Sequence, residues 1–305
     1  MNQFLKNISP FNNRADMPAA QLIVKKILAF CLCYILGTIL ATIATILVHF
    51  PLGKNMLAGE MLDIETMNLV KYYGFGLFSL VMLLYWKIVE KKPLAQMGLT
   101  KNFGSYFWGV ILGIVMVFIT ICGSILTGSM EYCGLFEKIN VGMIVLFTGS
   151  FIIQGAMEEI FCRGFLLHAL KEKTGVVAAV VVSTIMFILP HCGTLFADSS
   201  VYGVIGIVNL ILISIIFSLL TLRYQSIWAA CGLHTCWNAI IYCVLGLNIS
   251  GNEDQATAVF DIKLADNNIF NGGAYGVEAN VVTMAVLVVT IVLLAAMNQK
   301  AGKKA

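Results

Sequence analysis

Three stretches of this 305-residue sequence place ionisable or strongly polar side chains inside otherwise apolar runs. They are Glu158-Glu159-Ile160-Phe161-Cys162-Arg163, then Phe187-Ile188-Leu189-Pro190-His191, then His234-Thr235-Cys236-Trp237-Asn238. A carboxylate and an imidazole withdrawn from bulk water are suited to taking a proton from a trapped water molecule. Imidazole and amide donors held on one face are suited to stabilising a developing oxyanion. Ionisable groups at membrane depth are costly to keep, so each marks a candidate site whose partner has to be named.

Helical spacing sorts these residues into roles. Glu159 and Arg163 are four apart, share a face and can form an ion pair within one helix, which relieves the cost of two buried charges. Glu158 is rotated about 100° from that face and has no charged partner on its own side of the helix. His234 and Asn238 are also four apart and project from one stripe. Phe187 precedes His191 by one turn, where it can pack against the imidazole and fix its direction, and Pro190 is expected to kink or end the helix there.

The elements that must carry these residues follow from composition. Of the residues, 59% are hydrophobic and 11% charged, with mean hydropathy +0.90. A soluble domain is about 25% charged, so a water-soluble fold is excluded, as are collagen-like and low-complexity chains. The expected fold is all-α: a polytopic membrane helix bundle of about eight transmembrane helices. Apolar runs of membrane-spanning length fall at 27–50, 70–89, 104–127, 142–168, 175–193, 201–222, 226–247 and 280–298. At about 1.5 Å per residue, His234, Glu158 and His191 fall at depths that tilted helices can bring together near mid-membrane.

The chain is expected to form a single membrane domain over 1–305, with a cytoplasmic tail at 1–26 and three N-terminal spans within 27–127. A core at 140–247, an outer loop at 248–279 and a last span at 280–298 complete it. Placing the N-terminus inside puts 15 of the 19 basic residues on inner segments or at their edge, among them Lys6, Arg14, Lys91, Lys171, Arg223, Lys303 and Lys304. The outer segments then hold 11 of the 16 acidic residues, including Glu60, Asp63, Glu131, Asp254 and Asp261. This asymmetry supports an even number of spans with both termini cytoplasmic. The first apolar run is too long for a signal-peptide core and reads as a retained span. The net charge of +3 points to no nucleic-acid partner.

The outer loop contains Asn252-Glu253-Asp254 and the glycine-dense run Asn271-Gly272-Gly273-Ala274-Tyr275-Gly276, which suits tight turns or close backbone approach. Eight of the nine cysteines fall in spans or at their edges, where small side chains help helices pack. Only Cys133 lies clearly in an outer segment, and no Cys-x-x-Cys pair occurs.

Glu-Glu-x-x-x-Arg, Phe-x-x-x-His and His-x-x-x-Asn, in that order on successive apolar runs, resemble the CPBP intramembrane proteases. These are the CAAX prenyl endopeptidases and the bacteriocin-processing or immunity proteins, also called the Abi family. The motifs lie within about 140–245, and the Arg223-Tyr224-Gln225-Ser226-Ile227-Trp228 stretch is similar as well. The resemblance implies intramembrane hydrolysis of a peptide bond in a membrane-associated protein or peptide. It implies Glu158 as general base, His191 holding the water, and His234 with Asn238 as oxyanion donors. Glu159, Arg163 and Phe187 are then supporting residues, no cofactor is needed, and the protein resides in a cell membrane, the bacterial plasma membrane fitting best.

Other readings stay open at this stage. Glu158, His191 and His234 could instead hold zinc, since two imidazoles and a carboxylate form a catalytic ligand set, although His-Glu-x-x-His is absent. Cys162, Cys192 and Cys236 adjoin the motifs, but neither Cys192 nor Cys236 shares a helix face with its neighbouring histidine. A non-proteolytic immunity or membrane binding protein of the same fold is the competing class. A proton-coupled transporter would place broken helices in both halves, whereas these motifs occupy only the second.

Overall fold

In lipid every backbone N–H and C=O must be satisfied within the chain, so long apolar runs become helices. The computed structural model describes residues 3–12, 17–197, 201–249 and 258–302. Arg14, Lys303, Lys304 and the Asn252-Glu253-Asp254 stretch lie outside them. The helices are α1 (Gln3–Ile8), α2 (Ala19–His49), α3 (Ile64–Leu84), α4 (Gly104–Leu126), α5 (Val141–Glu159), α6 (His168–Thr174), α7 (Val176–Ile188), α8 (Cys192–Ala197), α9 (Val201–Tyr224), α10 (Trp228–Ala239) and α11 (Val281–Gly302). Two short strands, β1 (Met130–Leu135) and β2 (Phe260–Leu264), pair antiparallel with an irregularity between Tyr132 and Gly134.

Among the described residues seven helical runs are long and apolar enough to cross a membrane: 19–49, 64–89, 104–126, 141–174, 176–195, 201–224 and 281–298. This is a polytopic helical protein, as composition implied. The run expected at 226–247 differs. It is the 12-residue α10 followed by a 5-residue π-turn, Ile240–Val244, and the whole of Ala229–Asn238 is buried. It is shorter than its apolar stretch because Gly246, with φ of 61°, ends the turn. The first span also begins earlier than its apolar run, at Ala19. Lys25 and Lys26 do not end the helix because both pair with Glu90, at 3.5 and 2.7 Å.

The chain forms two compact units, Met1–Lys101 with Ile153–Met186 and Asn102–Ile152 with Phe187–Ala305. In the first, α2 lies against α3 so closely that a Cβ at Gly37 would overlap the Phe78 ring. The Tyr85 hydroxyl donates to the Pro10 carbonyl at 2.6 Å and to Glu90 Oε1 at 3.2 Å, tying the N-terminal segment to the foot of α3. Burial of Glu90 by itself raises its carboxyl pKa. The Lys26 and Lys25 ammoniums and the Tyr85 hydroxyl outweigh that and hold it below the usual range.

In the second unit α4 and α10 meet at their glycines. A Cβ at Gly109 would overlap the Ala229 carbonyl, and one at Gly232 would overlap the Tyr106 carbonyl. Small residues of this kind let backbones approach where lipid offers no hydrophobic drive between helices. Helix α9 packs on α10 and α11. Asn209 in α9 donates from Nδ2 to the carbonyls of Glu278 and Asn280, at 2.8 and 2.9 Å. The Asn280 side chain accepts from Thr283 N at 2.6 Å and caps α11.

The glycine-dense run forms turns. Asn271 Oδ1 accepts from Asn268 N and Gly273 N, while its amide donates to the carbonyls of Ser129, Ala265 and Asp266. Gly272 takes φ of 82°, and a Cβ there would overlap the Gly276 carbonyl. Residues 258–279 are thus a folded segment of strand and turns.

Candidate active site

Helix α5 does not stop at its two glutamates. It continues as a π-turn over Ile160–Leu167 and then as α6. A π-turn widens the helix by one residue, and such turns are frequent at functional sites. Every residue of this one is buried. Ser183 of α7 donates to the Cys162 carbonyl at 2.8 Å, and His168 Nδ1 donates to the Arg163 carbonyl at 2.6 Å. Both carbonyls lie in the widened segment, so side chains supply donors there. Phe161 is held by Phe30 and Tyr34 at ring-centroid distances of 5.1 and 6.2 Å, and Phe165 by Tyr85 and Trp86 at 5.8 and 6.0 Å.

On this framework Glu159 and Arg163 form the expected pair at 3.0 Å, with both side chains fully buried. Glu158 is half-buried, and Gln154, one turn earlier, donates from Nε2 to its Oε1 at 2.9 Å. The sequence reading looked for a charged partner of Glu158 and passed over this neutral one, although the i−4 spacing made it legible.

The remaining expected residues lie in the second unit. Helix α7 ends at Ile188, and Pro190 and His191 stand in a short 3₁₀ turn before α8. The proline, which has no N–H to donate, sits at the start of that turn. His191 is half-buried. Its Nδ1 lies 2.9 Å from the Phe187 carbonyl and therefore carries the hydrogen, leaving Nε2 as the basic nitrogen. The Phe187 ring packs on the His191 imidazole with centroids 5.2 Å apart.

Phe187 also meets the His234 imidazole edge to face, at 6.3 Å and 75°. One phenyl ring thus touches both histidines, which the spacing of the motifs did not reveal. His234 and Asn238, one turn apart on α10, are both buried. Phe217 of α9 was missed altogether: its ring stacks on His234 with centroids 5.0 Å apart and planes 15° apart. Nothing in the apolar run around Phe217 sets it apart from its neighbours.

The expected residues therefore fall into two sets, Glu158, Glu159 and Arg163 in the first unit and Phe187, His191, His234 and Asn238 in the second. Among the described residues no group of three or more His, Cys, Asp or Glu side chains is placed to hold a metal ion. All nine cysteines are free, and Cys162 and Cys236, which adjoin the motifs, are buried.

Residues 140–240 match the family model described as type II CAAX prenyl endopeptidase Rce1-like. The match spans every site residue expected from the sequence, from Glu158 to Asn238. A search of curated proteins found no match, and a search of solved structures found none.

Proposed function

From the premise that residues 140–240 are a domain of the CAAX protease family, we propose that this multi-pass membrane protein is an intramembrane endopeptidase. Its substrate is a membrane-associated protein or peptide, and its nucleophile is a water molecule activated by Glu158. The observation that carries this reading is that the matched segment contains all three motifs intact.

In the proposed reaction the Glu158 carboxylate takes a proton from water while His191 Nε2 holds that water. The resulting hydroxide attacks the scissile carbonyl carbon. His234 and Asn238 donate hydrogen bonds to the oxyanion of the tetrahedral intermediate. As the C–N bond breaks, the proton passes from Glu158 to the leaving amine. The buried Arg163–Glu159 pair anchors the turn that follows Glu158 and so fixes the direction of its carboxylate.

The test uses purified protein in liposomes with an internally quenched, farnesylated peptide ending in a CAAX sequence, alongside membrane proteomics. Glu158→Gln and His191→Ala are each expected to lower cleavage about a hundredfold to ten-thousandfold, the usual range for losing an acid–base group. Both variants should insert and purify like the wild type. In cells, processing of one membrane peptide should stop with Glu158→Gln. Wild-type cleavage by either variant overturns the mechanism, whereas a wild type that cleaves nothing leaves the non-proteolytic immunity or binding role. Loss of activity on chelation with recovery by zinc would replace the glutamate-only account by a zinc site at Glu158, His191 and His234.

A further inference from the structure

Phe217 stands on α9 in a mostly apolar stretch, yet its ring is set almost parallel to the imidazole of His234, at 5.0 Å and 15°. The same ring meets Phe187 edge to face, at 6.1 Å and 82°, and Phe187 in turn meets His234 at 75°. The three rings form a closed triangle within one unit, and Phe217, Phe187 and His234 are 2, 4 and 7% exposed. Offset-stacked and edge-to-face arrangements are the favoured geometries for aromatic pairs.

The triangle constrains how His234 can act. Both ring nitrogens lie in the plane of the imidazole, so a ring stacked on its face blocks approach from that side and leaves only in-plane hydrogen bonds. The helix beneath cannot shift to compensate, because Gly232, two residues before His234, is pressed against the Tyr106 carbonyl of α4. The plane of the His234 imidazole is therefore held by the rings of Phe217 and Phe187, and the backbone beneath it by α4.

We propose that Phe217 is a positioning residue for the reaction. It fixes the plane of the His234 imidazole so that its N–H points along the line required by the oxyanion, while touching neither substrate nor water itself. The proposal rests on the reading of His234 as an oxyanion donor. It adds α9, which carries none of the three motifs, to the elements that determine rate. An imidazole free to tilt would bind substrate as before but meet the transition state poorly, so the effect belongs in kcat and not in KM.

The experiment compares wild type, Phe217→Leu, Phe217→Met and Phe217→Tyr with His234→Ala, as full chains in detergent micelles. It follows cleavage of the farnesylated peptide and the 1H–13C spectrum of the histidine rings, of which the chain has four. Phe217→Leu and Phe217→Met should lower kcat at least about tenfold with KM nearly unchanged, the scale expected of a misplaced catalytic donor. Their His234 ring signals should move downfield as the shielding of the stacked phenyl is lost. Phe217→Tyr keeps the stack and should restore both readouts.

A kcat unchanged in Phe217→Met while the His234 signals move overturns the proposal, as does a loss that Phe217→Tyr fails to recover. Histidine signals unmoved in the folded Leu and Met variants also overturn it. If instead His234→Ala cleaves like the wild type, or the wild type cleaves nothing, the underlying catalytic reading fails. The spectra then still report separately whether the stack exists.

Discussion

A carboxylate and a guanidinium that are both fully buried stabilise the chain only while they remain together. The Glu159–Arg163 pair, at 3.0 Å inside the first unit, is of this kind. Removing one partner leaves an uncompensated charge, typically at about 3–5 kcal/mol, whereas replacing both by apolar groups of similar size is often close to neutral. Arg163→Met should therefore unfold far more readily than the wild type in detergent denaturation, and Glu159→Met with Arg163→Met should recover most of the difference. A single variant as stable as the wild type would show that the pair does not hold the π-turn. This pairing was legible from the four-residue spacing. The stack on His234 was not, because helical periodicity relates residues within one helix and Phe217 and His234 stand on different ones.

At the scale of elements, α10 is placed by glycines and the π-turn after α5 by a donor from α7. Gly232 meets the Tyr106 carbonyl, a rigid backbone atom that cannot rotate away. Gly232→Ala must push α10 from α4, which overpacking commonly makes worth about 1–3 kcal/mol of stability. A displacement near 1 Å of the helix bearing His234 and Asn238 should lower kcat about a hundredfold. Gly104→Ala, where a Cβ meets open space, is the matching control and should change neither. Glycines in a helix are visible in sequence, but which of them face a carbonyl depends on the neighbouring helix and cannot be read from spacing.

The foot of α3 carries a pH dependence of its own. Glu90 is held below its ordinary pKa in the folded chain, chiefly by Lys26 and Lys25 acting against its burial. A depressed carboxyl contributes stability that is fully present above the unfolded value of about 4.3 and is lost as pH falls through the folded value. Thermal unfolding followed from about pH 5 downward should show the wild type losing stability more steeply than Glu90→Gln. Equal slopes would remove Glu90 from this role. Sequence reading placed Lys25 and Lys26 in a polar tail, because the carboxylate that lets α2 begin at Ala19 lies more than sixty residues away.

For the whole molecule, the decisive quantity is which way the spans run. Composition gave the membrane and the helices, and among the described residues seven runs have the length to cross it. Length alone carries no direction, and the short, buried α10 shows that an apolar stretch need not expose a lipid-facing surface. Direction rests on the distribution of Lys and Arg, which we propose puts both termini on the cytoplasmic side, α10 with its π-turn making the eighth crossing. Cys133 offers a direct reading. It lies on β1, it is the exposed one of the nine cysteines, and the strand follows α4 in a segment expected to face outward. A membrane-impermeant maleimide added to intact cells should label the wild type and not Cys133→Ser, and inverted vesicles should show the reverse accessibility. Labelling of Cys133 only in inverted vesicles would turn the entire bundle over. The charge reading would then fail while the helices, the π-turn and the aromatic triangle stayed as described, since none of them depends on which side of the membrane is which.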